Sequence, residues 1–471
     1  MAKEFIVAIE IGSSKITGIA GKKNQDGSMT VMAIAKEDAS ACIRKGIVYN
    51  IDKTLQCITN IVSKLKNSLK TEIAYIYVGV GGQSIRSVKN TLIKELPTDT
   101  IINQSMVDQL MDANRSTPYP DLDILDAITQ EYKVDKQFQM DPVGVPCSHL
   151  EGHFLNILCR HTYYKSLKKC VENTGTPIAD MYIAPLALAE SVLTENERRS
   201  GCILVDLGSQ TTTVSVYHKN ILRHLAVIPL GSANITRDIT SLQMEEQDAE
   251  KLKLKYADAN PEEQDEELKY QANADHEVES NKFNHIVEAR LNEIIANVKF
   301  QIPDELDGLL LAGIVLTGGG SNMKNIDAAF RQQMGIEKVR IANFVNQVIH
   351  SNHTDITSHN GMMNTVLALL AKGNLNCAGH ELTEDLFGDK PTQPVVPQPL
   401  PTNTPTTASA GDGTIKVVLN DKDKEEEKEE NKNNEEGKNK EEEKEPKGPN
   451  LVKRIWHKTG DFLKKLTTEE E

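Results

Sequence analysis

The sequence predicts an α/β fold of two duplicated lobes facing each other across a cleft. Three observations carry this. Short apolar β-runs alternate with helical periodicity along most of the chain. Two distant hairpins, "VAIEIGSSKITGIAG" (7–21) and "LVDLGSQTTTVSVY" (204–217), share one grammar: apolar strand, acid, apolar residue, Gly, hydroxyl-rich turn, apolar strand. A third glycine cluster, "GIVLTGGGSNMKN" (313–325), follows an apolar run and precedes a helical one, with Ser321 as a candidate N-cap.

Residues 1–83 read as β-runs at "EFIVAIEIG", "KITGIAG" and "TVMAIAK", a helix at "TLQCITNIVSKLKNSLK" and a strand at "AYIYVGVGG". Residues 84–163 form a small inserted α+β unit: a strand at "IRSVKNTLIKEL", a helix at "QSMVDQLMDANRS", then "AITQEYKVD" and "HFLNILCRHT". The first lobe resumes over 164–203 with a helix at "YKSLKKCVENTG" and a strand over "IADMYIAPLALAESVL". The second lobe takes 204–245 and 312–387, with a subdomain at 246–311. In that subdomain Val287, Leu291, Ile294, Ile295, Val298 and Ile302 make a helical stripe expected to be core. Residues 388–449 are Pro/Thr-rich, then dense in Glu and Lys. So few apolar groups cannot offset the entropy of ordering, which predicts a disordered linker.

The chain's 471 residues leave room for more than one domain. A net charge of −15 argues against nucleic acid as a partner, since that requires a basic surface. Seven scattered cysteines without a C-x-x-C pair suit reduced thiols in a cytoplasm. The N-terminus reads as a strand, not as a signal sequence, and no apolar run is long enough to span a bilayer. The expectation is a soluble cytoplasmic protein.

None of the glycine clusters fits G-x-x-x-x-G-K-[ST], nor G-x-G-x-x-G at a first strand–helix turn. Two hairpin turns can instead clamp the β- and γ-phosphates of a nucleotide, with successive backbone N–H groups forming an anion nest. Glu10 and Asp206 would hold Mg²⁺, through water because Mg²⁺ dehydrates reluctantly, and Lys15 would neutralise phosphate charge. Gly318, Gly319 and Gly320, lacking side chains, let an adenine or α-phosphate approach the backbone. The plainer alternatives are a polar hairpin turn and a tightly packed helix-entry loop.

The last segment, 450–471, is an amphipathic helix on its pattern. Leu451, Val452, Ile455, Trp456, Phe462, Leu463 and Leu466 share one face, flanked by Lys453, Arg454, Lys458, Lys464 and Lys465. Such a helix lies in a bilayer interface against anionic lipid; the alternative is docking into a protein groove.

The order of these elements resembles the actin, sugar-kinase and chaperone ATPase superfamily, whose lobes are ribonuclease-H-like, and within it the bacterial FtsA cell-division family. The stretches that carry the resemblance are "VAIEIGSSKI", "ITQEYKVDKQFQMDPVGV", "SHLEGHFLNIL", "ESVLTENERRSG", "ILRHLAVIPLGSANITRDI", "DAEKLKLKYA", "VEARLNEII" and "GIVLTGGGSNM". It implies an actin-like two-lobed fold that binds ATP and Mg²⁺. Gly12, Ser13, Ser14 and Lys15 match the first phosphate loop, and Gly208, Ser209, Gln210 and Thr211 the second. Gly231 and Ser232 match a strand-to-helix turn beside the nucleotide, Glu250 and Lys253 the ribose and base edge, and Gly318–Gly320 with Met323 the adenine pocket. At i and i+3, Glu250 and Lys253 share a helix face, so a surface ion pair is the plain alternative.

The resemblance further implies self-assembly into filaments and binding of the FtsZ C-terminal peptide on the 246–311 side. It also implies contact with other division proteins through the insert, at one side of the first lobe. The tail helix would attach the chain peripherally to the cytoplasmic face of the membrane at the division site, tethering the Z ring. Departures are Glu10 in place of the superfamily's usual aspartate, the crowded "DLGSQTTT" loop, and Ala184, where vigorous ATPases carry a glutamate. Without a polar group to orient water, ATPase activity should be weak at most. The competing readings are a small-molecule kinase on the same fold and a pilus-associated actin-like relative.

Overall fold

The computed structural model describes residues 4–261, 268–273, 276–381 and 415–419. The tail helix of 450–471 lies outside the described residues, as does the linker apart from 415–419. No helix among the described residues is long and apolar enough to cross a membrane.

The chain opens with a meander of three strands, β1 (Ile6–Ile11), β2 (Lys15–Lys23) and β3 (Met29–Asp38). Helix α1 (Ile51–Leu69) follows, its N-terminus capped by the Asn50 side chain, which accepts the Lys53 N–H. Its buried face of Ile58, Ile61, Val62 and Leu65 packs where β2 presents Gly18; a Cβ there would lie 2.3 Å from Ile61. Strand β4 (Ile76–Val80) pairs parallel to β1.

The insert then runs β5 (Arg86–Ile101), α2 (Gln104–Arg115), β6 (Leu122–Val134), β7 (Gln137–Gln139) and β8 (Pro146–Arg160). Its strands form an antiparallel sheet in the order β7-β6-β8-β5. Leu92, Leu110, Tyr132, Leu150 and Phe154 fill a small core of its own. A buried amide chain, from Asn90 to Asn114 (2.8 Å) and from Asn114 to Asn156 (2.7 Å), fixes α2 on the sheet.

The first lobe resumes with α3 (His161–Glu172), β9 (Ile178–Ile183) and α4 (Ala184–Val192). The strand expected over 178–193 thus stops at Ile183. Pro185 stands in the first turn of α4, where its missing N–H costs nothing and its fixed φ suits a helix.

The second lobe repeats the plan: β10 (Cys202–Leu207), β11 (Thr212–His218), β12 (Ile221–Ile228), α5 (Ser232–Ile239), α6 (Glu246–Tyr256), α7 (Ser280–Phe300), β13 (Gly313–Thr317), α8 (Ile326–Met334) and β14 (Val339–Ile341). Its sheet order, β12-β11-β10-β13-β14, matches β3-β2-β1-β4-β9 strand for strand, with three antiparallel strands followed by two parallel ones. The duplication inferred from the two hairpins therefore extends to whole lobes. On α7 the expected stripe Val287, Leu291, Ile294, Ile295 and Val298 is buried, whereas Ile302 falls past the helix end and is half-buried.

Three placements differ from expectation. Residues beyond 345 return to the first lobe: helix α9 (Asn364–Lys372) buries Val366, Leu367, Leu369 and Leu370 in that lobe's core, and Ala378–Glu381 pair with Thr71–Ile73. The apolar run "TVLALLA" packs into the largest of the hydrophobic clusters among the described residues. The insert, expected beside the first lobe, also touches the second. Arg86 of β5 pairs with Ala226 of β12, and the Gln130 side-chain amide donates to the Leu222 carbonyl at 3.0 Å. Finally, β15 (Ile415–Leu419) forms a strand inside the segment expected to lack structure.

Candidate functional site: a cleft between twin hairpins

Each lobe's first hairpin turns through two residues. The Gly12 N–H donates to the Lys15 carbonyl at 3.1 Å around Ser13 and Ser14; the Gly208 N–H donates to the Thr211 carbonyl at 2.9 Å around Ser209 and Gln210. The pairing registers are identical, with Glu10 opposite Thr17 and Asp206 opposite Thr213. Neither Ser13 nor Ser14 has a positive φ, so this is not the primed turn that hairpins usually favour. The local sequence serves the site, not the hairpin.

Both turns open on one cleft of about 700 Å³, within the size range of small-molecule sites. Glu10, Gly12, Ser13, Ser14 and Lys15 line one wall; Asp206, Gly208, Ser209 and Thr211 line the other; Ser232, Glu250, Lys253, Gly318–Gly320 and Met323 complete it. The Glu10 carboxyl is pushed up to about 7, first by burial and then by the facing Asp206, against the pull of Lys15 and Lys36. Burial pushes Asp206 up to about 6. The Lys15 ammonium is lowered by burial and then by Lys36.

Gly318 explains why glycine recurs after β13. Its φ is +84°, and a Cβ would stand 2.3 Å from the Asp206 carboxylate and 2.7 Å from the Leu207 carbonyl. The third cluster therefore backs directly onto the second-lobe acid. Ser321 is not the cap of α8. It sits in a 3-10 turn with its hydroxyl donating to the Gly318 carbonyl at 2.7 Å, and α8 starts after Asn325.

Two expected residues stand behind the cleft wall. Gly231 lets α5 approach the second loop: a Cβ there would lie 2.5 Å from the Ser209 carbonyl, and the Ser232 and Ala233 N–H groups donate to Gly208 and Ser209. The Gln210 side chain turns away to the first lobe, accepting the Lys45 N–H at 2.8 Å. The Glu250–Lys253 pair is formed as the i, i+3 spacing allows, with Glu250 partly exposed. Lys253 is buried, 2.7 Å from Glu250, and donates to the Thr236 hydroxyl (2.8 Å) and the Ser232 carbonyl (3.2 Å), so it also clamps α6 to α5.

Sequence reasoning missed Gly46 and Gly82, whose backbones touch in the cleft floor with φ of +74° and +104°. The Gly-Gly after β4 was the available signal. It also missed Tyr256 and Tyr270, which stack with ring centroids 4.3 Å apart and line the second-lobe end. Tyr270 lies in a short hairpin that no local pattern announces.

Duplicated lobes, twin acid-bearing hairpins and a glycine turn against one of the acids define an actin-like protein. Among solved structures, the PilM–PilN type IV pilus biogenesis complex matches with a TM-score of 0.55 at 13% identity, over 78% of this chain and 97% of that one; at that identity the likeness concerns the fold alone. Family models match the cell division protein FtsA over residues 203–359 and the SHS2 domain inserted in FtsA over residues 82–158. The cell division protein FtsA of Porphyromonas gingivalis is 33% identical over 338 residues, covering 69% of this chain and 70% of that protein. That of Pseudomonas aeruginosa is 31% identical over 330 residues, covering 68% and 79%. The chain belongs to the FtsA family of cell-division proteins. The insert is matched by a model of its own.

Proposed function

We propose that this cell-division protein is an ATP-gated membrane tether. The carrying observation is that Glu10 and Asp206, from equivalent hairpins of the two lobes, face each other across one cleft with Gly318 packed against the second. Two carboxylates raised by burial are a donor set that suits a hydrated Mg²⁺, which supplies charge to offset theirs and the phosphates'. Ser13, Ser14 and Lys15 would hold phosphate from one side, and Ser209 and Thr211 from the other. Gly319, Gly320 and Met323 would take the base, and Glu250 and Lys253 the ribose. Ala184, at the start of α4 and lining the cleft, offers no group to orient a water. Nucleotide then acts as a conformational ligand with slow turnover at most.

On this reading the nucleotide-bound core assembles with copies of itself, receives the FtsZ C-terminal peptide on the 246–311 side, and contacts other division proteins through the insert. The basic amphipathic pattern of 450–471 supports binding to anionic lipid at the inner membrane face. One short helix binds weakly, and many along an assembly bind well. Family membership disfavours the kinase and pilus alternatives.

Liposome pelleting tests this with the full chain and a chain stopped at Pro449, each with and without Mg-ATP. Tail-dependent binding to anionic vesicles, strengthened by ATP, is expected. Equal behaviour of the two chains would overturn the lipid anchor, and indifference to ATP would overturn the gating.

A further inference from the structure

Strand β5 is the longest of the insert and has two edges. Along one it pairs with β8 nearly throughout. Along the other, among the described residues, the second lobe's sheet pairs with it only at Arg86, opposite Ala226, with the Leu225 N–H donating to the Ser87 hydroxyl next to it. Lys89, ion-paired to Glu305, marks that junction, and Pro97, which has no N–H to give a ladder, closes the far end. Between them lies a window of open edge. Proteins seldom leave such an edge bare, because its unpaired N–H and C=O groups template foreign strands.

The window is filled from within the chain. Ile415–Leu419 pair antiparallel with it, Ile415 opposite Lys94, Val417 opposite Leu92 and Leu419 opposite Asn90. The sequence agrees with the register. "IKVVL" is a β-branched run set between a Pro/Thr-rich stretch and a Glu/Lys-rich one, and its residues 415, 417 and 419 stand opposite the residues of β5 that the insert buries. Nothing in the phosphate cleft or its chemistry requires this strand.

We propose that the open edge of β5 is a strand-docking site whose occupant is the chain's own segment Ile415–Leu419. Five residues pair weakly on their own, and an intramolecular tether raises their effective concentration to the millimolar range. The same weakness makes the strand releasable. Docking also moves the point from which the tail departs, from Glu381 on the first lobe to Leu419 on the insert. If the tail binds lipid as proposed above, release lengthens its reach; the docking itself does not depend on that reading.

Two measurements on the full chain, without lipid, decide the matter. In Lys416→Pro/Val417→Pro, one of two adjacent prolines must remove a ladder bond, whichever N–H faces β5. Amide exchange over residues 90–94 is expected to rise about tenfold while β1 and β10 stay protected; unchanged exchange would overturn docking. Separately, Thr91→Cys/Val418→Cys places thiols at directly paired positions. Mild oxidation is expected to join them within one chain, well above a Thr91→Cys/Asn403→Cys control. Joining no better than the control would overturn docking, and joining only between chains would assign the edge to a second copy.

Discussion

Burial raises both Glu10 and Asp206, and the facing Asp206 raises Glu10 further, so Glu10 holds a proton below about pH 7 and Asp206 below about pH 6 that a cation must displace. Glu10 ionises near 7 when folded and near 4.5 when unfolded. Burial of its charge therefore erodes the stability of the free chain as pH rises through that window. Cation binding has the opposite dependence, because it needs both groups deprotonated. Affinity for Mg-ATP is expected to fall about tenfold between pH 8 and pH 6, as Glu10 and then Asp206 take up protons. Glu10→Gln should bind more weakly throughout and lose most of that slope, which calorimetric titration at several pH values reads directly. Gly318→Ala tests the same site sterically. Its Cβ would collide with the Asp206 carboxylate from a left-handed backbone, so nucleotide affinity should drop at least about tenfold with a stability loss of about 1–2 kcal/mol. Binding at wild-type affinity would show that Asp206 moves freely and is not the fixed acid of the cleft.

At the scale of elements, what could be read from the sequence was what repeats or alternates. The twin hairpins, α1 and α7 follow from local pattern alone, because their apolar periods match what they bury. The end of β9 did not, since "IAPLALA" is apolar throughout and only Pro185 marks the switch to helix. The membership of α9 was also hidden: a helix apolar on most faces can sit in either lobe, and Leu369 and Leu370 settle it by filling space over Gly79 and Gly21. Of the cleft, the two hairpin turns were legible, whereas Tyr270 reaches it only through tertiary packing. Glu197 is another element-level feature: its T-x-x-E spacing from Thr194 is a capping-box signal, but its partner Arg340 has no local one. Through a capping box with Thr194 it starts a short helix, and Arg340 of β14 grips both its oxygens at 2.6 and 2.8 Å. Burial alone would raise its carboxyl, yet the bonds from Arg340 and Thr194 outweigh that and hold it at about 2. Its contribution is therefore full above the unfolded value of 4.5 and lost as pH falls toward 2. Glu197→Gln should cost about 1–3 kcal/mol at neutral pH and nothing near pH 2. Denaturant melts at both pH values check the difference.

For the molecule as a whole, a nucleotide can gate assembly only if its binding changes how the two lobes are held, which depends on the contacts that cross the cleft beside the two hairpin turns. Gln210 makes one of them. It belongs to the second lobe's turn yet bonds the Lys45 N–H of the first lobe, beside Gly46, whose own N–H donates to the Ser13 hydroxyl at 2.8 Å. Gln210, in the loop that looked crowded in the sequence, is instead a latch from the second lobe's hairpin turn to the first lobe. Lys45 and Gly46 both have positive φ, so the segment it grips is a tight turn. Ligand affinity divides between contacts made and the population of the closed form that makes them. Gln210→Ala removes no atom that lines the cleft. Its effect should therefore appear as a several-fold faster release of a fluorescent ATP analogue, with faster amide exchange at residues 45–47 and an unchanged melting temperature. Gln210→Glu should behave like the wild type, because a carboxylate also accepts the Lys45 N–H. If Gln210→Ala instead leaves release unchanged, the lobes are held by other contacts, and nucleotide gating has to act through the 246–311 subdomain.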